Sequence, residues 1–207
     1  MKHTKNFSLL ILGLSMLFAC NRQQTSGPEM ERMERWLAYY NLSLNHFTDT
    51  LTLKKYPEIK TTIDPSDPQD SLFHDLYIYS PEKKRAIDLD SYFLVLEKNR
   101  EGKLVCHGTE ADQEVALIDL IKQERQRIIF CGTACRAEEV QWLNQQEVLI
   151  MGFVQPLSQW IPALWFFNTE QESLIQIKGN PLQVNKKPNS YNQAVRLKEI
   201  SFPEKND

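Results

Sequence analysis

The chain has 207 residues and a formal net charge of −3, from 24 Lys and Arg against 27 Asp and Glu. This length suits one domain with its own core and is short for two. The mild acidity argues against nucleic acid as a partner, and against an electrostatic hold on anionic lipid, because both need a basic surface.

The first twenty residues predict export. Lys2 and Lys5 give the chain a positive start, and residues 7–19 form a mostly apolar stretch. That stretch has the length of a signal-peptide core and is shorter than the about 20 residues that span a bilayer as a helix.

Leu17-Phe18-Ala19-Cys20 resembles the lipobox of bacterial lipoprotein signals, in the looser form typical of Bacteroidota. The resemblance implies that the Cys20 thiol receives diacylglycerol, that residues 1–19 are cleaved off, and that the new amino group receives an acyl chain such as palmitate. Several acyl chains anchor a protein where one chain is marginal. The expected location is the cell envelope, lipid-anchored at the outer membrane on its periplasmic or surface side. An uncleaved anchor helix and an ordinary signal peptide are the alternatives.

Cleavage of 19 of the 207 residues leaves 188, and loss of Lys2 and Lys5 moves the formal charge from −3 to −5. Residues 20–28 are polar and contain Gly27 and Pro28, which predicts a lipidated tether. Residues 29–207 are then expected to form a single β-rich domain.

Residues 29–46 are predicted to form one amphipathic helix. Met33, Leu37, Tyr40 and Leu44 recur at spacings of three and four, so they share one face of such a helix. Packing of that face against the domain is the favoured interpretation, and a helix that binds a partner is the alternative.

Residues 47–74 predict a strand over Thr48–Leu53 followed by a loop with a turn-rich break at Asp64–Asp70. Thr50 and Ser71 each follow an aspartate and precede a leucine. These triplets are similar to the short sites at which Bacteroidota O-glycosylate exported proteins, so the two hydroxyls are candidate glycosylation sites.

Short apolar runs separated by charged turns extend over residues 75–178, which we interpret as a β-meander. Runs of this length, bounded by turn residues, are typical of strands joined in hairpins. Five hairpins are predicted, pairing residues 76–79 with 86–89, 92–96 with 104–106, 115–121 with 128–131, 140–143 with 148–153, and 163–167 with 174–177.

The hairpins also repeat, since Leu76 and Ile87 match Leu117 and Ile128 at a shift of 41 residues. A unit of two hairpins and this length resembles a β-propeller blade, although a closed propeller needs at least about four blades and only about two and a half units exist here. The predicted fold class is therefore mainly β: an antiparallel meander with one N-terminal helix, built as propeller-like repeats or as a sandwich or barrel.

The C-terminal part predicts little regular structure. Residues 179–192 carry two prolines and little periodicity, which indicates a surface loop. Residues 194–202 alternate Val195 and Leu197 with polar residues and are predicted to form a last, edge strand.

Three cysteines follow Cys20, and an exported protein meets an oxidising compartment. Cys131 and Cys135 flank a glycine turn that can bring their α-carbons within disulfide range. In a simple meander Cys106 would lie about 10 Å from Cys131, two strand spacings away. A zinc site from Cys106 or His107 with Cys131 and Cys135 is the alternative, but the spacing fits no standard finger, so no metal or cofactor is expected.

The connection after Phe153 is long and contains Leu157, Trp160 and Ile161. Exposed apolar and aromatic residues on a loop often mark a contact surface, so these three are candidate partner contacts. The alternative is that Trp160 turns inward as part of the core.

The sequence contains no Gly-x-Ser-x-Gly, no phosphate-binding glycine loop and no His-Glu-x-x-His motif, so an enzyme is not the favoured interpretation. We expect a membrane-anchored binding or assembly component that contacts another envelope protein. A small-ligand or glycan-binding lipoprotein is the first alternative, and a thiol-dependent enzyme that uses Cys131 and Cys135 is the second.

Overall fold

In a computed structural model, which describes residues 30–52, 59–64, 66–181 and 187–202, the chain folds into antiparallel sheets with few helices. The predicted mainly-β, antiparallel class is confirmed. The predicted signal, the predicted tether with Cys20, and Leu53 of the predicted first strand lie outside the described residues.

Two helices and twelve strands make up the described chain. The helices are α1 (Glu31–Tyr40) and α2 (Pro68–Phe73), and single 3₁₀ turns cover Leu44–His46 and His74–Leu76. The strands are β1 (Phe47–Thr52), β2 (Lys60–Thr62), β3 (Ile78–Tyr79), β4 (Arg85–Asp88), β5 (Leu94–Lys98), β6 (Leu104–Thr109), β7 (Gln113–Asp119), β8 (Glu124–Cys131), β9 (Cys135–Trp142), β10 (Glu147–Val154), β11 (Ile161–Asn168) and β12 (Ser173–Gly179).

The strands form two five-stranded sheets and a separate hairpin. Sheet one has the order β1-β12-β11-β10-β9, and sheet two has the order β2-β8-β7-β4-β3. Among the strands of the described chain, β5 and β6 pair only with each other. All five predicted hairpins are present, because each odd strand from β3 to β11 pairs with the strand that follows it.

A shared turn chemistry explains why the hairpins look alike in sequence. At the start of four of the turns, one side-chain oxygen accepts hydrogen bonds from two backbone N–H groups further along the turn. The residues that do this are Asn99, Asp119, Asn144 and Asn168. Asn and Asp favour turns for this reason, since the side chain replaces a backbone acceptor.

The two sheets face each other across one apolar core. Ile87 and Leu117 of sheet two contribute to the same buried cluster as Ile150 and Trp165 of sheet one. The next residue along each strand points to the opposite side of its sheet, as strand geometry requires.

Each sheet is also covered on its outer face. Helix α1 packs on sheet one, where Trp36 and Tyr40 join Met151 and Phe153 in a second cluster. The β5–β6 hairpin covers sheet two in a third cluster. Because both faces of the central strands are buried, those strands appear in the sequence as continuous apolar runs.

The blade interpretation does not describe how the repeats are arranged. In a propeller each four-strand unit forms its own sheet. Here the β5–β6 hairpin separates from the β3–β4 hairpin of its own unit, and β4 pairs instead with β7 of the next unit. The two hairpins that match at a shift of 41 residues, β3–β4 and β7–β8, therefore lie in the same sheet, sheet two.

Two element boundaries and one loop differ from expectation. The helix predicted over 29–46 ends at Tyr40, because Asn41 adopts a left-handed conformation (φ 55°) and its N–H bonds back to the carbonyl groups of the last turn. The segment predicted as a loop before the meander contains α2. The strand that begins the first hairpin shortens to β3, because a 3₁₀ turn covers Leu76.

The strand predicted over 194–202 is wrong. Residues Asn192–Arg196 form a π-helical turn, and only Ser201 makes a bridge, to Val105. Leu197 and Ile200 belong to the third cluster. They lie three residues apart, which puts them on the same side of a helical turn, whereas residues on the same side of a strand lie two apart.

Candidate functional site

A β-bulge in β9 is the starting point of the site. Val140 pairs with Ile150, and Ala137 pairs with Gly152, so the ladder holds one residue too many between them. Glu138 is that extra residue, and the bulge turns its side chain to the same side of the sheet as Glu139. Both glutamates therefore point at α1, and both are fully buried.

Three hydrogen-bond donors surround the Glu138 carboxyl group. The indole Nε1 of Trp36 donates to Oε2 over 2.8 Å, and the hydroxyl of Tyr40 donates to Oε1 over 3.0 Å. The backbone N–H of Asn189 also donates to Oε1. Burial raises the pKa of Glu138 to about 7, although these bonds and the charge of Arg196 act to lower it.

Glu139 binds two arginines of α1, Arg32 and Arg35. Its Oε1 lies 2.9 Å from Nη1 of Arg32, and its Oε2 accepts the hydroxyl of Tyr191 over 2.7 Å and lies 3.4 Å from Nη2 of Arg35. The two arginines are 39% and 41% exposed, whereas the glutamate side chain is completely buried. One buried carboxylate thus fixes two guanidinium groups at the surface.

A second buried ion pair lies beside this cluster. Both Nη atoms of Arg196, in the π-helical turn, bond to the two oxygens of Asp90 over 2.6 and 2.7 Å. Arg196 also donates its Nε–H to the side chain of Asn192. This two-pronged geometry is the strong form of an arginine–carboxylate contact, and it explains why the C-terminal segment turns inward instead of forming a strand.

A groove of about 490 Å³ opens above these pairs, between α1, the π-helical turn and the chain entering β3. Its polar lining combines four cationic side chains with one carboxylate, that of Asp75. The lining residues are Arg32, Arg35, Asp75, Leu76, Tyr77, Ile78, Ala194, Val195, Arg196, Leu197 and Lys198.

Another buried polar cluster lies on the outer face of sheet two. Arg125 bonds to both Asp88 and Glu114, and Arg127 bonds to Glu114 as well. Although burial acts to raise the pKa of Asp88, the charge of Arg125 and hydrogen bonds from Arg125 and Ser91 hold it below its ordinary value. Each of these charges has an oppositely charged partner within the cluster, so the cluster fastens β4, β7 and β8 together.

The candidate contact residues lie at one end of the fold. Leu157 is 93% exposed in the β10–β11 connection, while Trp160 is half-buried against the cluster beneath α1 and Ile161 begins β11. The backbone N–H of Gln155 bonds to the carbonyl of Ala134 over 2.7 Å, which ties this loop to the neighbouring β8–β9 turn.

The cysteines fall in two separate places. Cys131 and Cys135 are bonded to each other across the β8–β9 turn, with their α-carbons 4.8 Å apart. Cys106 is buried in the third cluster, where burial raises the pKa of its thiol. The placement of Cys106 two strands from Cys131 in one sheet is wrong, because β6 belongs to a separate hairpin.

The candidate glycosylation sites are exposed: Thr50 on the edge strand β1 and Ser71 on α2. Within the part of the chain that the structure describes, no group of three or more His, Cys, Asp or Glu is arranged to hold a metal ion.

Comparison with known proteins gives no relative: no family model, no curated protein and no solved structure matches the chain. Among the described residues, no helix has both the length and the apolar character needed to cross a bilayer.

The sequence-based reasoning missed Glu138, Glu139, Asp90 and Arg196. A signal for the first two was present, because Ala137-Glu138-Glu139-Val140 places two adjacent acids in a run whose other members are apolar. Two consecutive polar residues inside a buried strand indicate a bulge, since alternation alone would put one of them in the inter-sheet core.

Proposed function

We propose that this protein is a lipid-anchored component of the bacterial cell envelope that works by binding a partner protein. The anchoring part rests on the positive start, the apolar stretch of residues 7–19 and the lipobox-like Leu17-Phe18-Ala19-Cys20. In this proposal Cys20 carries the lipid, and the residues up to Pro28 connect it to α1.

The binding part rests on one observation, the 93% exposure of Leu157 on a loop that is held in place. Gln155 bonds to Ala134 at the start of this loop and, through its side chain, to the carbonyl of Ser158 across it. An ordered loop loses little conformational freedom on binding, so an apolar side chain presented in this way is a suitable contact for a partner.

Anchoring is tested by metabolic labelling of the producing cells with a clickable palmitate analogue. We expect the wild-type protein to be labelled and to fractionate with membranes. The variant Cys20→Ser should lose the label and keep its signal peptide. A wild-type protein that stays unlabelled, or a serine variant processed and fractionated like the wild type, contradicts the anchor.

Partner binding is tested by cross-linking in intact cells followed by pull-down of the protein. Leu157→Ser should reduce recovery of the cross-linked partner about tenfold, the loss expected for one well-buried apolar contact of 1–2 kcal/mol. Ile121→Ser is the matched control, because Ile121 is also an exposed apolar residue on a turn, with 75% exposure. It lies on the β7–β8 turn, at the end of β8 that is far from the β10–β11 loop. Equal recovery with both variants contradicts a role for the β10–β11 loop.

A further inference from the structure

The groove between α1 and the π-helical turn is a second feature, separate from the β10–β11 loop. It has about 490 Å³, which is within the range of pockets that hold small molecules. Lysines and arginines outnumber acids in its lining four to one, although the whole chain is acidic with a formal charge of −3.

Arg32 and Arg35 pair with a buried carboxylate on one side and are partly exposed to the groove on the other. Arg32 and Arg35 share one buried carboxylate, Glu139, so one of their two positive charges has no buried counter-charge. Glu31, the other acid beside Arg35, is 70% exposed, and such an exposed pair contributes little. Among the described residues, the side chain of Arg32 makes one hydrogen bond, to Glu139, and a guanidinium has five N–H donors.

Lys198 adds a charge on the opposite wall. Its side chain is 66% exposed, and its only ion pair among the described residues is a 3.9 Å contact with Glu199, which is 90% exposed. Arg196, in the π-helical turn, is fixed by Asp90. The Arg32 guanidinium is already held by Glu139, so it can bind an anion with little further ordering of its side chain.

The rest of the lining is apolar. Tyr77, Ile78 and Leu197 are buried side chains that reach the groove, and Leu76 and Val195 are half-buried. A ligand that matches both parts needs a negative head beside the arginines and an apolar body on this floor.

We propose that this groove binds a small amphipathic anion, a carboxylate or phosphate carried on a short apolar body. The head group would bond to the outward N–H groups of Arg32 and to the ammonium of Lys198, because a guanidinium matches the paired oxygens of either head group. The apolar body would cover the half-buried Leu76 and Val195. Asp75, on the rim, would disfavour a ligand with two negative ends.

The test is equilibrium dialysis with the mature protein, purified from the producing cells and held in phosphatidylcholine vesicles, corrected with protein-free vesicles. The probes are 3-phenylpropionate and phenyl phosphate, and 3-phenylpropionamide is their uncharged counterpart. We expect both anions to bind with dissociation constants of about a millimolar or tighter, and the amide to bind at least about tenfold more weakly. Preference between the anions identifies the head group.

Lys198→Gln and Arg32→Gln should each weaken binding of the preferred anion about tenfold. Lys198 is exposed, so its replacement tests the site even if Arg32→Gln disturbs the contacts of Glu139. Arg100→Gln is the matched control, since Arg100 is exposed on the β5–β6 turn and does not line the groove. Equal binding of the amide, no binding of either anion up to about 10 mM, or an effect of Arg100→Gln as large as that of the groove variants overturns the proposal.

Discussion

At the scale of single residues, the most consequential feature is a carboxyl group placed where water does not reach. Glu138 is fully buried, and its neighbours Trp36, Tyr40 and Asn189 all present donors to it. These donors favour the charged form, whereas removal of water favours the neutral form, and the second effect is larger. The stability of the contact between α1 and sheet one should therefore depend on pH near neutrality.

The pKa of Glu138 rises from its ordinary value of 4.5 to about 7 on folding. The folded state thus holds a proton between these two values that the unfolded state has released. Its stabilising contribution is complete below about pH 4.5 and is lost as the pH rises to about 7, a change of about 3 kcal/mol at most. We expect the free energy of unfolding, measured in urea from pH 5 to pH 8, to fall across this range.

Glu138→Gln supplies the control for that pH dependence. The variant cannot titrate, so its unfolding free energy should change less between pH 5 and pH 8 than that of the wild type. Its absolute stability should be lower, because a glutamine has one acceptor oxygen and turns an amide N–H towards one of the donors around it. Equal slopes for the two proteins would show that Glu138 is not the titrating group. The low pKa of Asp88 does not interfere, since Asp88 titrates in more acidic solution.

At the scale of elements, the bulge in β9 decides where the polar groups of the site point. The bulge is possible only because the residue opposite it in β10 is Gly152, which has no side chain. A Cβ atom added at Gly152 would lie 1.9 Å from the carbonyl oxygen of Arg136 and 2.9 Å from the α-carbon of Ala137. The close approach of β9 to β10 thus requires glycine at this position. The positions of both buried glutamates depend on that close approach.

Gly152→Ala should therefore lower the free energy of unfolding by about 3 kcal/mol or more, as overpacking against a backbone does. Urea denaturation measures the loss. Gly108→Ala is the matched control, because Gly108 also lies in a strand and has open space where its Cβ would be, so about 1 kcal/mol or less is expected. A similar small change for both variants would mean that β9 and β10 separate easily at the bulge.

At the scale of the whole molecule, the two sheets depend on each other. They share one apolar core, and the buried side chain of Gln113 in β7 bonds to both the N–H and the carbonyl of Ala137 in β9. The same side chain bonds to the carbonyl of Leu89, which keeps the end of β4 in place. A disturbance of the core in one sheet should therefore reach the other.

Ile150→Ala tests this coupling. Ile150 is fully buried in the shared core, so the variant should lose about 2–5 kcal/mol of stability. Hydrogen exchange should show faster exchange of amides in β7 of sheet two as well as in β10 of sheet one. Leu51→Ala, on the edge strand β1 with Leu51 45% exposed, should leave both strands nearly unchanged. Faster exchange confined to sheet one would indicate two independent units.

The hairpins and the helix were predictable because their signals are local. Apolar runs, turn residues such as Asp119 and Asn144, and the spacing of Met33, Leu37 and Tyr40 all act within a few residues. The expected pairing of Cys131 with Cys135 rests on the same kind of local signal, as the two residues lie four positions apart.

The site was not predictable from such signals, because its residues come from distant parts of the chain. Arg196 meets Asp90 across 106 positions, and Arg32 meets Glu139 across 107. The predicted last strand failed for this reason: the ion pair with Asp90 and the packing of Leu197 outweigh the weak alternation of residues 194–202.

By itself, the amino-acid sequence determined the class of the fold, its five hairpins and the face of α1 that packs, because periodicity and turn chemistry act between near neighbours. The tertiary structure alone decided that the hairpins divide into two sheets and one separate pair. It also decided that a bulge opposite Gly152 turns two acids towards α1, and that four cations meet at one groove. Burial, long-range pairing and close packing act between residues far apart in the chain, and these are the forces that built the site.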